Sequence, residues 1–428
     1  MVDLVIRPTV GAGNKIIIQD QAGQPVLTTA DSGGVLNNIT GTLSEITPGT
    51  SGNLLTSDGT NWASAAAPLS VDTLSFRNRL INGDMQVAQR GPLFDSSDGN
   101  NVSVDYTFEN DNDMYTLDMW YILSDGDNVI DVIQSSEAPT NQKYSLGMDV
   151  ETAHKKFGIA QIIENADSRC VGLIGNTVTF SFKAKVSATT KLDNVKAAII
   201  SWSGTADSVT SDVISAWGAE DTNPTLIANA TFENTPANLN LTTSWATYSV
   251  SGAIDTASTS NIIVLIWSDV TDTTVGDFIL VTDCQLEAGA SATSYERKSY
   301  ADVLQSCCRY FQAIVGRGWI TGGASNRNKE PICTLSFRSN GWIADGYVRY
   351  LQTMRATPSI KQHLGGNTML QLNASGGADE FEDLKMNYTG GVDGCWVYCN
   401  VWITGTSGHS GPVTSNDSSA FFGFTAEL

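Results

Sequence analysis

The 428-residue sequence predicts a mainly β protein, and three observations carry that expectation. Charged residues make up 16% and hydrophobic ones 41%, and the balance is rich in Gly, Ser, Thr, Asn and Asp, a mixture that favours short strands and polar turns over long helices. The run Thr177-Val178-Thr179-Phe180-Ser181-Phe182-Lys183 alternates with period two, as a strand with one buried face must. Convincing helical spacing is confined to Ser299–Ile314. Disorder would require fewer apolar residues and longer charged runs than this chain has.

The elements follow in three textures. Residues 1–75 are poor in large apolar side chains; Lys15–Gln19 reads as a strand, with Gln21–Pro25 as the turn returning to Val26-Leu27. From Ser32 to Pro68 apolar residues come in ones and twos, too few for one copy to offset its ordering entropy, so this segment folds against other copies or stays a linker. Residues 76–296 carry recurrent β-type runs: Val102–Phe108, Trp120–Leu123, Asn128–Gln134, Thr177–Val186, Val195–Trp202, Trp245–Ser251, Asn261–Trp267 and Asp277–Val281. About eight to ten strands over such a length fit one β-sandwich. Residues 297–428 open with the helix, capped by Ser299 with Asp302 and stopped by Gly316, and return to strands, of which Cys395–Thr404 is the clearest.

A net charge of −21, without a Lys/Arg cluster, disfavours nucleic acid as a partner. No run approaches 18 consecutive apolar residues, so membrane insertion is not expected. The start, Met1–Val10, has no apolar core of an export signal, and the seven cysteines are irregularly spaced; synthesis in a reducing cytoplasm with free thiols is the expectation.

Several stretches resemble bacteriophage tail fibres and receptor-binding tail proteins. TPGTSGNLLTSDGTNWASAA (47–66) resembles the Gly-Ser-Asn hairpin units of phage fibre and virion proteins. FRNRLINGDMQVAQRG (76–91) and YTLDMWYI (115–122) resemble the opening of the carbohydrate-binding-module-like jelly rolls of phage tail proteins, where Met119 departs from a usual Arg. ILVTDCQLEAGASATSYERKSYADVLQSCCRYFQ (279–312) is similar to the last strand of that jelly roll and the helix opening a fibre tip; MRATPSI (354–360) and GFTAEL (423–428) also resemble the tip. The resemblance implies a virion-attachment or shaft segment (1–75), a jelly-roll domain (76–296) and a β-rich receptor-binding tip (297–428). It further implies a parallel homotrimer in the virion, its N-terminus on the tail or an adaptor protein and its tip on a host-surface glycan.

Catalysis has little support in the residues. His154, His363 and His409 form no metal-type pair, nucleotide loops are absent, and Pro412 spoils the near nucleophile elbow at Gly408–Gly411. No enzyme activity is expected; a purely structural virion component (head fibre or tail-wall subunit) and, less favoured, a glycan depolymerase are the alternatives. A secreted bacterial lectin ranks lower, for want of an export signal. Candidate ligand-binding residues come from the strand near 400: Cys395 and Cys399 share the inward face with Val397, which turns Trp396, Tyr398, Asn400 and Trp402 to the other side. Aromatic rings stack on sugar C–H faces while polar neighbours serve hydroxyls, although packing of the same face against a second sheet or a trimer axis is the more ordinary use of such a row. Trp319, Trp342, Tyr347 and Tyr350 of the same domain carry the same two readings. In the sandwich, the resemblance puts Trp120 and Trp245 in the core and leaves Trp202, Trp217 and Trp267 as freer candidates. It also pairs an early acidic residue with one on the last strand around a structural Ca²⁺, here Asp84 and Asp283, and carboxylate oxygens suit that ion.

Overall fold

The computed structural model describes residues 76–94, 114–315, 331–337, 343–363, 370–374, 377–381, 384–386, 390–400, 409–415 and 421–428, and before them two hairpins. The expected strand at Val102–Phe108 lies outside the described residues, as do Trp319, Trp342 and Trp402. Two compact units divide at Ser75/Phe76. In the first, Ile17–Gln19 pairs with Pro25–Thr28 around a turn at Gln21-Ala22, and Asn53–Ser57 pairs with Trp62–Ala66, all antiparallel.

The second unit begins with the expected sandwich. One sheet has six strands in the order Ala246–Ala253, Thr177–Val186, Phe278–Ala288, Ser145–Val150, Ile130–Ser135, Leu93–Phe94. The other has five: Ala230–Phe232, Val195–Trp202, Asn261–Ser268, Phe157–Ile163, Tyr121–Ser124. Met148, Phe180, Phe182 and Val281 of the first meet Ile159, Ile199 and Val264 of the second in one core, with Trp120 among them. Trp120 donates its indole N–H to the Asn82 carbonyl at 3.1 Å, so its polar edge is satisfied inside that core.

The five-stranded sheet is buried on both faces, which explains why Asn261–Ser268 (NIIVLIWS) is continuously apolar instead of alternating. Its outer side chains, including Ile162, Ile200, Leu265 and Trp267, pack under Val209, Val213, Ile214 and Trp217 of the long connection between Val195–Trp202 and Ala230–Phe232. Trp217 and Trp267 are therefore core residues and not the freer ring faces expected of them, and Trp202 is partly buried against the same cluster. Trp245 departs in the other direction, being half-buried at the sheet edge where the core was expected. Beneath the connection, Asp269 is clasped by the ammonium groups of Lys156 and Lys196, and Lys156 also donates to the Ala219 carbonyl at 2.7 Å.

The helix is shorter than its apolar spacing predicts. It runs Tyr300–Cys307, with Ser299 as N-cap accepting from the Asp302 N–H. The chain then turns, and Phe311–Val315 is a strand, against the expectation of helix to Ile314. The reason is a long-range partner: Phe311–Val315 pairs with Phe421–Thr425, which on its other edge pairs with Ser359–His363. The rest of this part is a seven-stranded antiparallel sheet in the order Gly377–Phe381, Leu370–Ala374, Ser410–Ser415, Pro331–Phe337, Ile343–Arg349, Gly394–Asn400, Lys385–Met386. One of its faces packs with Phe422 and Phe424 in a second core.

Polar contacts weld the sandwich to the C-terminal part. Gln89 donates its backbone N–H and its amide to the two Asp118 oxygens at 2.7 and 2.6 Å, and the same amide donates to the Phe311 carbonyl at 2.8 Å. Arg90 lies 3.6 Å over the Phe311 ring and is ion-paired to Glu427. Glu164 of the sandwich takes a two-pronged contact from Arg309 at 2.8 Å on each oxygen, plus the Tyr310 hydroxyl at 2.7 Å.

Asp269→Ala leaves two buried ammonium groups without their counter-charge. We expect it to cost about 3–5 kcal/mol of unfolding free energy, read from urea denaturation; a loss under about 1 kcal/mol would mean the clasp is not held as described.

Candidate functional site

The open face of the seven-stranded sheet is set by alternation. Along Gly394–Asn400, Cys395, Val397 and Cys399 are completely buried toward the second core, while Trp396 is 45% exposed and Tyr398 is half-buried on the other side. All seven cysteines of the chain are free thiols, and burial pushes the Cys395 thiol up from its ordinary value. The neighbouring strand Ile343–Arg349 alternates in step: Ala344 and Val348 face the core, and Tyr347 is 50% exposed. Antiparallel register sets Tyr347 opposite Trp396 and Asp345 opposite Tyr398. The two rings meet edge to face, with centroids 5.9 Å apart and planes at 65°.

One glycine makes room for this pair. A Cβ at Gly394 would stand 2.3 Å from the Tyr347 hydroxyl oxygen and 2.6 Å from the Val348 carbonyl, so the tyrosine ring can lie across the strand only where no side chain rises. Around the rings the same face carries exposed Ser336 and Thr334 on the next strand, and Lys385 is in register with Tyr398 from the other edge. Two rings at an angle offer a flat apolar floor and a wall, bordered by hydroxyl and charged groups; that combination stacks on the C–H face of a saccharide and serves its hydroxyls.

Of the residues expected to bind ligand, Trp396 and Tyr398 are thus brought to one exposed face. Asn400 ends the same strand, and Trp319, Trp342 and Trp402 lie outside the described residues. Tyr350 is buried, its ring 4.7 Å from Phe424, so it serves the core. Tyr347, which the sequence left open between ligand binding and packing, stands on that same exposed face. The period-two pattern of IADGYVR was a usable signal for its outward direction, but not for its partner.

The two expected metal ligands also meet, through backbone geometry. The Gly83 carbonyl accepts from the Cys284 N–H at 2.9 Å, and a Cβ on Gly83 would stand 2.1 Å from the Cys284 carbonyl oxygen. This close approach lays the loop carrying Asp84 against the last sandwich strand. That strand bulges here, Ser181 facing Gln285 but Lys183 facing Thr282, and Asp283 takes the left-handed conformation (φ 54°) open to Asp and Asn at modest cost. Asp84 and Asp283 are both buried. Asp84 accepts from the Gln86 amide at 3.0 Å, and Asp283 is ion-paired with Lys183 at 2.9 Å. Asp84 Oδ1 and both Asp283 oxygens are buried and accept no hydrogen bond, Asp283 Oδ2 having only the Lys183 ion pair. Burial raises the Asp84 carboxyl above the ordinary carboxylate range, the Gln86 and backbone hydrogen bonds oppose this, and the negative charge of Asp283 adds to it. Two orphaned carboxylate oxygens fit a hard cation, although Lys183 already supplies one positive charge; among the described residues no cluster of three or more acidic, His or Cys ligands forms, so carbonyls and water would complete a Ca²⁺ shell.

No family model and no curated protein matches the chain. Solved structures similar to it are carbohydrate-binding-module β-sandwiches and a phage tailspike domain. The enzymatically active domain of bacteriophage CBA120 tailspike protein 4 is 14% identical with a TM-score of 0.27, over 40% of this chain and 19% of that one. TmCBM61, in complex with β-1,4-galactotriose, is 13% identical (TM-score 0.23; 40% of this chain, 88% of that one). The CBM22-1 xylan-binding domain from Paenibacillus barcinonensis Xyn10C is 15% identical (TM-score 0.24; 40% and 87%). The chain thus spans about a fifth of the tailspike domain and most of the two modules.

Gly394→Ala should displace the Tyr347 ring and cost about 1–3 kcal/mol through overpacking against the strand. Urea denaturation measures it; an unchanged midpoint would show that the ring does not lie over this glycine.

Proposed function

We propose that the chain is a trimeric bacteriophage tail fibre that binds a host-surface glycan through the open face of its tip and does not turn it over. The observation that carries the reading is the exposed Tyr347–Trp396 pair on an otherwise well-packed sheet, since large rings left in water on a rigid surface mark binding sites. Residues 1–75 attach the trimer to the tail or an adaptor protein. Three tips presented together convert weak single contacts into firm attachment, because the second contact is effectively intramolecular. In the same proposal, Asp84 and Asp283 hold a Ca²⁺ ion that staples the opening loop of the sandwich to its last strand.

Two measurements test these readings. The full chain is sized by light scattering and titrated against host-envelope polysaccharide, alongside the Tyr347→Ala/Trp396→Ala double variant. A trimer whose binding falls roughly 10-fold or more in the variant is expected, from about 1.4 kcal/mol or more of lost ring contact. Unchanged binding would remove the tip face from the proposal, a monomer would remove the fibre, and release of reducing ends would make it a depolymerase.

For the cation, the melting temperature is followed with Ca²⁺ and with EDTA. The Asp84 carboxyl has a folded value above its unfolded one, so its contribution to stability is complete below the unfolded value and is lost as pH rises through the folded value. A bound cation offsets that loss. Ca²⁺ should therefore raise the melting temperature at pH 7, less so at pH 4, and have no effect on Asp84→Asn. A melt at pH 7 indifferent to EDTA would refute the ion.

A further inference from the structure

A sizeable opening in the second unit lies away from the aromatic face. It is a cleft of about 640 Å³ between the opening loop of the sandwich, the turn joining Ile130–Ser135 to Ser145–Val150, and the segment entering the helix. Its size falls within the range of about 300–1,000 Å³ typical of small-molecule sites.

The lining carries the sign opposite to the chain's net charge. In a chain of 45 acidic and 24 basic residues, the cleft is bordered by the exposed cations Lys143 and Arg297. Neither is ion-paired with a carboxylate among the described residues, whereas Lys183, Lys185 and Lys191 of the same sandwich each are. The one acidic side chain in the lining, Asp84, is buried at the margin and directed to Gln86.

Amide side chains supply the remaining polarity. Gln86, Gln134, Asn141 and Gln142 line the cleft, and an amide both donates and accepts, as a sugar hydroxyl does. Gln142 is oriented: its carbonyl oxygen accepts from the Arg297 guanidinium at 2.8 Å, and because Arg can only donate, the amide cannot be flipped. That contact leaves the Gln142 Nε2 buried with no acceptor. A buried donor without a partner is costly, and an incoming acceptor would recover that cost. Tyr144 and the half-exposed Tyr300 border the same space with their rings, and the Lys143 ammonium sits 4.8 Å from the Tyr144 ring centre.

We propose that this cleft is a second saccharide site, selective for an acidic sugar: a uronic-acid unit of an oligosaccharide. The uronate carboxylate engages the Arg297 fork with Lys143 beside it; a ring hydroxyl accepts from the Gln142 Nε2, and a tyrosine ring stacks on the sugar's C–H face. The site shares no residue with the tip face, so it stands or falls separately from glycan binding there; Asp84 alone is common to this lining and the proposed cation site.

The test is calorimetric titration of the full-length chain with the trimers of galacturonate, glucuronate and mannuronate, each beside its neutral counterpart. At least one uronide should bind saturably, more tightly than the neutral sugar and more weakly as salt is raised. Arg297→Ala should weaken it roughly tenfold or more, Arg297→Lys less because the charge remains and the fork is lost, and Gln142→Ala by a smaller factor. Tyr347→Ala/Trp396→Ala should leave it unchanged, which separates this site from the tip. Arg297 is at the surface, and an unshifted melting curve will show that its variants fold. Three uronides that bind no better than their neutral counterparts, or an affinity indifferent to Arg297→Ala, would overturn the proposal.

Discussion

The architecture from Phe76 onward depends on one buried polar joint, built by Gln89 and Arg90 just after the first loop of the sandwich. Arg90 stacks over Phe311 and pairs with Glu427, so a single side chain bridges sandwich, post-helix strand and C-terminal segment. Burial raises the carboxyls of both Asp118 and Glu427, and Arg90 is the charge that opposes this for each. Removing a buried guanidinium would leave two carboxylates in a low-dielectric setting, which is why such joints are not divisible into independent contacts. Arg355 extends the joint by donating to the Ala426 and Glu427 carbonyls, and Tyr115 donates to the Leu428 carbonyl. The last residues of the chain are thereby structural.

That joint has a consequence for presentation. Phe421–Thr425 is the centre of the three-stranded sheet, and Phe422 and Phe424 pack on the inner face of the seven-stranded sheet. Tyr347 and Trp396 stand on the opposite face of that same sheet. The rings are held on strands rather than on a loop, and these strands are anchored through the core to the sandwich. A rigid mount lowers the entropy lost on binding, which matters most for shallow sites with few contacts.

Much of this was legible in the residues. Period-two alternation correctly turned Cys395, Val397 and Cys399 inward and Trp396 and Tyr398 outward, because successive side chains of any strand leave on opposite sides. Ser299 was legible as a cap for the same local reason: its hydroxyl reaches an N–H three residues on. The helix end was not. Phe311 and Ile314 fit a helical face as well as a strand, and strand pairing with residues more than a hundred positions away decided the matter. Nor was the role of Tyr347, since its value lies in a register with Trp396 that no local pattern encodes.

The sequence alone therefore determined what depends on neighbours along the chain: strand periodicity, turns, the helix start, the mainly β class and the acidic balance. Tertiary structure decided which of two possible faces is covered. It buried Trp267 beneath the connection spanning 203–229 and Trp217 on that connection's inner side, left Tyr347 and Trp396 open, drew Asp84 to Asp283 across about two hundred residues, and gathered Arg297 with Gln142 at one cleft. The physical reason is that propensity and alternation act over a few residues. Burial and charge pairing are set by whichever distant segment the folded chain brings to the surface in question.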